Sequence, residues 1–526
     1  MLTIVVFGAS GDLAKRKTFP ALFSLFRRKL LIQGPHTSFQ IIGYARSQQS
    51  LPEFQAKLRD FLVRQATAED AHELDEFLQH CHYQQGDYDS DASFSQLAET
   101  IEAFEASASD GPGTRIFYLA LPPSVFLPVA ASVRKHLCSP ANLTIRLVVE
   151  KPFGRDSESS QQLSSALRPL FTEPQIYRID HYLGKEMVKN VLILRFANIF
   201  FNAVWNRTHI KNVQIVFKET LGVEGRGGYF DEYGIIRDVM QNHLLQMLAI
   251  VAMDRPASLS AEDIRNEKVK VIRSIRPVTR DDLIIGQYGK SLDSSRPGYT
   301  DDETVPSASI TPTFAMATLY VRNERWDGVP FILRCGKGLN EQKAEIRIQF
   351  QDVPGSLFDG ENDVSDSSLM FSSSQRSSPL MSTQGQATHT ELARNELVLR
   401  VQPNEAVYMK LMVKRPGHGM HPLLSDLDLS YSARYSQLRI PDAYESLILD
   451  ILRGEQANFV RDDELTEAWR IFTPVLHEIE RDHIQPEIYP AGSRGPVSAD
   501  ERLTQLGYRR SPHHAQQYSW PKQPVD

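Results

Sequence analysis

The sequence predicts two domains: a doubly wound parallel α/β, Rossmann-like domain over residues 1–177, then a larger α+β domain with a big antiparallel sheet over 178–526. Three observations carry this reading. Short, wholly apolar runs alternate with helical stretches in the first third, the pattern of a parallel sheet with right-handed crossovers. Further along, apolar and polar residues alternate one by one, as in antiparallel strands with one wet face. The first apolar run also ends in a glycine-rich turn that opens a helix.

Taken in order, Leu2–Phe7 is a buried parallel strand ending at Gly8, followed by a helical pattern to about Lys29. After a Gly-Pro break at 34–35 come the strands Phe39–Gly43, Ile116–Ala120 and Ile145–Val149. In the second domain Val213–Glu219, Lys343–Phe350 and Glu396–Gln402 alternate as half-buried strands. Ile235–Met253 is one long helix, so apolar in its second half that it must be deeply buried. Residues 355–390, rich in Ser, Asp, Gly and Gln, read as a surface insertion between two strands.

Composition narrows the class. A chain of 526 residues with 41% hydrophobic and 23% charged residues can bury a large core. Its net charge of -7 gives no electrostatic footprint for nucleic acid or an anionic membrane. Cys81, Cys138 and Cys335 lack paired spacing, which fits a reducing compartment and argues against a zinc site. No apolar run approaches the roughly 20 residues of a membrane span. A core strand at the N-terminus leaves no room for a signal peptide, so the expected location is cytoplasmic.

The densest chemistry lies in Arg178-Ile-Asp-His-Tyr-Leu-Gly-Lys-Glu186. If the stretch after Asp180 is helical, His181 and Lys185 share one face and make a small anion clamp. Such charge-dense turns are also common as solvated surface. At the first turn, Gly8-Ala9-Ser10-Gly11-Asp12-Leu13 lets a diphosphate approach a helix N-terminus, where free N–H groups favour anions. An NAD-binding chain usually carries an acid at the end of the second strand, yet here Tyr44-Ala-Arg46-Ser47 is basic, with Lys15, Arg16 and Lys17 near. Arg46 suits a 2′-phosphate, so the predicted cofactor is NADP. Glu150-Lys151-Pro-Phe-Gly154 follows the fourth strand at the carboxyl edge, where Lys151 can touch both nicotinamide and substrate.

Together, Gly8–Lys17, Glu150–Gly154, Arg178–Glu186 and Arg237–Gln246 resemble the glucose-6-phosphate dehydrogenase family. The likeness continues in order through Arg334–Lys337, Arg400–Gln402 and Gly492–Pro496. The resemblance implies oxidation of glucose 6-phosphate at C1, His243 as general base and Asp180 as its orienting acid. His181, Tyr182, Lys185 and Lys337 match positions that hold the sugar phosphate. Glu219 and Asp238 match acceptors of sugar hydroxyls, Gln402 a further sugar contact, and Lys151 a bridge to the cofactor. No metal is implied, since hydride and proton leave without a Lewis acid.

Arg334, Lys343, Arg347, Arg400, Lys410, Asp428, Arg494 and Trp520 resemble a second, structural NADP site of some members. Arg510 stands where an aromatic is expected, with Tyr508 two residues before it; Gln342 replaces a basic residue beside the substrate pocket, and Phe126 stands where the cofactor pocket can carry a tyrosine. The resemblance also suggests a homodimer or homotetramer. The alternatives are another NADP-linked sugar dehydrogenase on the same plan, or a non-catalytic NADP-binding protein.

Overall fold

The computed structural model describes residues 1–32, 38–65, 71–108, 113–139, 143–358 and 392–509. The N-terminal sheet is parallel and six-stranded, in the order β3-β2-β1-β4-β5-β6. Its strands are β1 (Leu2–Phe7), β2 (Phe39–Ala45), β3 (Cys81–Gln85), β4 (Thr114–Leu119), β5 (Thr144–Val149) and β6 (Ile176–Arg178). The four apolar runs are β1, β2, β4 and β5. Two further strands lie at the sheet's edges: β3 is polar after its first residue, and β6 is three residues long. Neither carries an apolar run, which is why periodicity does not reveal them.

The second sheet has nine strands in the order β14-β13-β12-β11-β7-β10-β9-β8-β15. They are β7 (Ile210–Lys218), β8 (Leu283–Gly289), β9 (Phe314–Tyr320), β10 (Pro330–Gly336), β11 (Lys343–Phe350), β12 (Glu396–Gln402), β13 (Ala406–Lys414), β14 (Pro422–Ser430) and β15 (Glu487–Pro490). The expectation of an antiparallel sheet needs correcting to a mixed one, because β7 pairs with β10, and β8 with β15, in parallel. The expectation of half-buried strands also changes. Both faces of β7 and β11 are covered, and the polar positions Asn212, Gln214, Glu345 and Arg347 are themselves buried. The alternation therefore records a polar face closed by ion pairs, not a wet one: Arg347 donates to Glu345 (2.6 Å) and Glu396 (3.0 Å).

The expected helix over Ile235–Met253 forms, but its first turns are wide. Residues Ile236–Leu244 are π-helical and Leu245–Ala252 α-helical, after a break where Gly234 takes φ +67°. All eight residues of the α-helical part are buried. Of the expected insertion, 355–358 lie on the surface between β11 and β12, and 359–390 fall outside the described residues.

One long-range contact shapes the ligand crevice. The helix Ala443–Arg453 returns to the N-terminal half, and Tyr444, Leu447, Ile448 and Ile451 share a core cluster with Phe19, Phe23 and Tyr118. Its first turn passes so close to the nine-residue run that a Cβ on Gly184 would sit 2.5 Å from the Ala443 carbonyl oxygen. That approach requires glycine at position 184. Beneath the His243 helix, Lys268 of Ala261–Arg273 and Glu464 of Asp462–Arg481 form an ion pair at 3.0 Å, 1% and 0% exposed. Gln246 bridges the two groups. Lys268→Met is expected to lower stability by about 3–5 kcal/mol, because Glu464 is left charged and buried; denaturant unfolding measures the loss, and the Lys268→Met/Glu464→Leu double variant should recover most of it.

Candidate active site

The site forms where strand ends from both sheets meet one helix. Lys151 follows β5 and Asp180 follows β6, so both stand at the carboxyl edge of the parallel sheet, the edge at which such sheets bind ligands. Glu219 and Lys337 follow β7 and β10, whose parallel register aligns Lys218 with Gly336 and sets the next two side chains together. The π-helical stretch supplies Asp238 and His243.

The expected helix after Asp180 is absent. Leu183, Gly184 and Lys185 instead close three successive turns onto the carbonyls of Asp180, His181 and Tyr182, and the helix begins at Glu186. His181 and Lys185 therefore do not share a helical face. The turns fold the run around the His243 ring. His243 Nδ1 lies 2.5 Å from Asp180 Oδ1, both side chains at most 3% exposed, and Asp180 Oδ1 also accepts from the Tyr182 backbone N–H at 2.9 Å. Tyr182 stacks on the His243 ring at 4.5 Å, and His181 meets it edge-on at the same distance. The imidazole is thus held on three sides.

Burial sets the protonation pattern. It pushes His243 below the ordinary histidine value against the opposing charge of Asp180. It pushes His181 well below, helped by His243. At neutral pH His243 is therefore neutral; its Nδ1–H is donated to the Asp180 carboxylate, which leaves Nε2 as a free base. Burial opposes ionisation of Asp238, but Lys151 and Lys337 overcome it and hold its carboxyl at about 2.

The other expected substrate residues assemble here too. Lys151 Nζ donates to Asp238 through its carbonyl (2.7 Å) and carboxylate (3.0 Å). Lys337 pairs with Glu219 at 2.5 Å. Gln402 donates to the Tyr182 hydroxyl at 2.9 Å, tying the end of β12 to the run. Lys185 lies 5.9 Å over the Tyr182 ring, and burial lowers its pKa. Asp180, His181 and His243 also bring ligand atoms within 4.8 Å of one another, a spacing able to hold a metal ion. Asp180 is engaged with His243, and the neighbouring cations Lys151 and Lys185 favour an anion.

Sequence reasoning missed two participants. Tyr444 stacks on His181 (5.8 Å, 13° between planes), and the preceding Asp442 pairs with Lys17 at 3.7 Å. They lie some 260 residues from the run, and no local pattern marks them. Glu150 is buried, accepts from Tyr118 OH at 2.6 Å, and burial pushes its carboxyl up to about 7.

At the nucleotide turn, Gly8 takes φ +81°, and a Cβ there would lie 2.2 Å from the Ala120 oxygen. Gly11 N–H closes the turn onto the Gly8 carbonyl, Ser10 accepts from Ser47, and helix begins at Asp12. Ala9 is buried and Leu13 half-buried behind them. This cradle of backbone close to a helix N-terminus fits a dinucleotide diphosphate. Arg46 stands exposed at the end of β2. Lys17 faces Asp442 and Tyr444, on the side of His181. Arg226 reaches from the second domain to Asp12 at 3.2 Å, across the crevice. Phe126 is fully buried in the core, so it presents no face to the nucleotide.

Comparison with known proteins decides the family. The model of the glucose-6-phosphate dehydrogenase NAD binding domain matches residues 5–190, and that of the C-terminal domain matches 192–387 and 375–514. The chain belongs to the glucose-6-phosphate dehydrogenase family. The glucose-6-phosphate 1-dehydrogenase of Emericella nidulans is 52% identical, over 98% of this chain and 94% of its own. The enzyme named glucose-6-phosphate 1-dehydrogenase 6, cytoplasmic, of Arabidopsis thaliana is 51% identical over 96% and 92%. A solved glucose-6-phosphate dehydrogenase in complex with its substrate superposes with TM-score 0.86 at 48% identity, covering 97% of this chain and 98% of that one. The Mycobacterium avium family member gives 0.78 at 30%, with the same coverage.

The residues expected to form a second NADP site fall largely on the polar face of the large sheet. Lys343, Arg347, Arg400 and Lys410 stand on β11–β13 around Glu345 and Glu396, while Arg334 and Arg494 share Asp500. Asp428 is exposed on β14, in register with Tyr408. Burial raises the Tyr508 phenol, which feels the charges of Glu396, Arg347, Glu345 and Arg494. Trp520 and Arg510 lie outside the described residues, and Gln342 is exposed beside this cluster.

Asp180→Asn removes the charge that opposes the fall in the His243 pKa, so that pKa drops further. A base must be neutral to act, hence activity is lost as pH falls through it. The acid limb of the kcat/KM profile is expected below the ordinary histidine pKa in the native protein and lower still in the variant, with kcat down about 10²–10⁴-fold. An unmoved acid limb rejects the pairing.

Proposed function

We propose that the chain oxidises C1 of glucose 6-phosphate to 6-phosphoglucono-1,5-lactone, the entry step of oxidative pentose phosphate metabolism, with NADP as acceptor. The observation that carries this is the buried Asp180–His243 pair (2.5 Å), flanked by Lys151, His181, Lys185 and Lys337. Bound NADP supplies a hydride acceptor at C4 of its nicotinamide. The Gly8–Leu13 turn would hold its diphosphate and Arg46 its 2′-phosphate, with Lys151 near the nicotinamide.

His243 Nε2 takes the proton of the C1 hydroxyl as the C1 hydride departs. Asp180 stabilises the imidazolium so formed and keeps Nδ1 protonated throughout. His181, Tyr182, Lys185 and Lys337 bind the phosphate through charge-assisted and hydroxyl hydrogen bonds. Glu219, Asp238 and Gln402 accept or donate to the sugar hydroxyls. The stacked Tyr182 ring and the apolar helix beyond His243 exclude water from the base.

The polar face of the large sheet supports a second, structural NADP on Arg334, Lys343, Arg347, Arg400, Lys410, Asp428, Arg494 and Trp520. The exposed edge strand β14, with Leu427, and Val413 on its neighbour β13, supports association of copies into a dimer or tetramer. The cytoplasmic names of the plant relatives support that location, and among the described residues no helix is long and apolar enough to cross a membrane.

With NADP present, glucose 6-phosphate is expected to exceed free glucose roughly 10²–10⁴-fold in kcat/KM, as two or more charge-assisted hydrogen bonds dictate. Galactose 6-phosphate in the same ultraviolet assay tests the sugar. His243→Asn should cut kcat about 10²–10⁴-fold with little change in KM; wild-type turnover in that variant sinks the assignment. For the second cofactor, NADP should raise the unfolding midpoint of an Arg46→Ala protein, whose catalytic binding is weakened. No rise there rejects the structural site.

A further inference from the structure

Arg46 is a charged side chain on an exposed strand end, and selection of NADP depends on where its guanidinium points. Its backbone is fixed from β3. Tyr83 OH donates to the carbonyls of Ala45 (3.4 Å) and Ser47 (2.5 Å), and Gln85 Nε2 donates to that of Arg46 itself (3.4 Å). Among the described residues no carboxylate forms an ion pair with Arg46. Its guanidinium carbon instead lies 5.5 Å over the ring of Tyr88.

Tyr88 is unusually well held for a loop residue. It lies just after β3, and the Tyr44 hydroxyl donates to the Asp87 carbonyl beside it at 2.8 Å. Its ring, 9% exposed, is 6.0 Å from that of Tyr44. Tyr44 in turn packs against Phe94 (5.5 Å) and Phe7 (5.2 Å), the last residue of β1. A buried aromatic column therefore runs from the core of the parallel sheet to Tyr88, and Arg46 rests on its end. Burial raises the Tyr88 phenol above its ordinary pKa, so the ring is neutral at assay pH.

We propose that Tyr88 is a positioning residue for cofactor selection: its ring face holds the Arg46 guanidinium in the place from which it reads the 2′-phosphate of NADP. The proposal rests on the assignment of Arg46 to that phosphate. The effect is entropic as well as electrostatic. A free arginine loses rotamer freedom on binding, whereas a stacked one has already lost it. A guanidinium held over a ring by its charge spends none of its N–H donors there, which leaves them for two-pronged phosphate contacts. NAD has no 2′-phosphate and gains nothing from this arrangement, so the effect falls on selectivity.

The test is the ratio of kcat/KM for NADP over NAD at saturating glucose 6-phosphate, in the native protein, Tyr88→Leu, Tyr88→Phe, Arg46→Ala and Arg46→Ala/Tyr88→Leu. Tyr88→Leu should lower the ratio roughly two- to five-fold, the span open to an exposed cation–π contact, without changing kcat with NADP or KM for the sugar. Tyr88→Phe should keep the ratio, and the double variant should lose no more than Arg46→Ala. If Arg46→Ala lowers the ratio and Tyr88→Leu leaves it intact, the positioning role is wrong while the Arg46 assignment stands. An unchanged ratio in Arg46→Ala overturns both. Equal losses in Tyr88→Phe and Tyr88→Leu would trace the effect to the hydroxyl and reject the ring. If Tyr88→Leu does not fold, the comparison of Tyr88→His with Tyr88→Phe carries the same decision.

Discussion

The hydrogen bond between Asp180 and His243 is the constraint on which the arrangement of the two domains depends. Asp180 leaves the last strand of the parallel sheet, and His243 sits on a helix of the second domain, 63 residues later. Both are buried, and a buried carboxylate without a partner costs several kcal/mol. The contact therefore fixes how the end of β6 meets that helix. The stacking of Tyr182 on the imidazole, and the bond from Gln402 to Tyr182, extend the same constraint outward to the large sheet.

A second closure reinforces the first from the far end of the chain. Helix Ala443–Arg453 buries its apolar face in the N-terminal core and sets Tyr444 on His181 and Asp442 beside Lys17. Lys17 thereby couples the first helix of the nucleotide domain to the run that carries His181. The absence of a Cβ at residue 184 permits this, since the Ala443 carbonyl occupies the space a side chain would need. A glycine in the middle of a charged run is thus a packing requirement imposed from a distance.

The sequence exposes what is local or periodic. β1, β2, β4 and β5 announce themselves as apolar runs, and β11 by strict alternation. The chemistry of His243, Asp180 and the lysines was legible through residue types and the resemblance. Three things were not. Strands β3 and β6 owe their place to pairing along the sheet edge, not to their own side chains. The helix expected after Asp180 gives way to turns because Asp180 uses its side chain to cap the Tyr182 N–H and orient His243. The buried polar face of the large sheet looks wet in sequence, since alternation cannot tell water from a partner ion such as Glu345 or Glu396.

The charge pattern at the site explains how an acidic chain holds an anionic sugar. Lys151, Lys185 and Lys337 are matched in number by Asp180, Asp238 and Glu219, so the site attracts little at long range. Recognition then rests on donors at hydrogen-bond distance. Burial lowers both His181 and Lys185, which makes their charged forms costly in the empty site. A phosphate dianion beside them reverses that cost, since an opposite charge within a few ångström raises the pKa of a cation. His243 gains no such partner, because its own anion, Asp180, is already in place. The same burial thus keeps His243 a neutral base, with Asp180 in place to stabilise its charged form once it takes a proton.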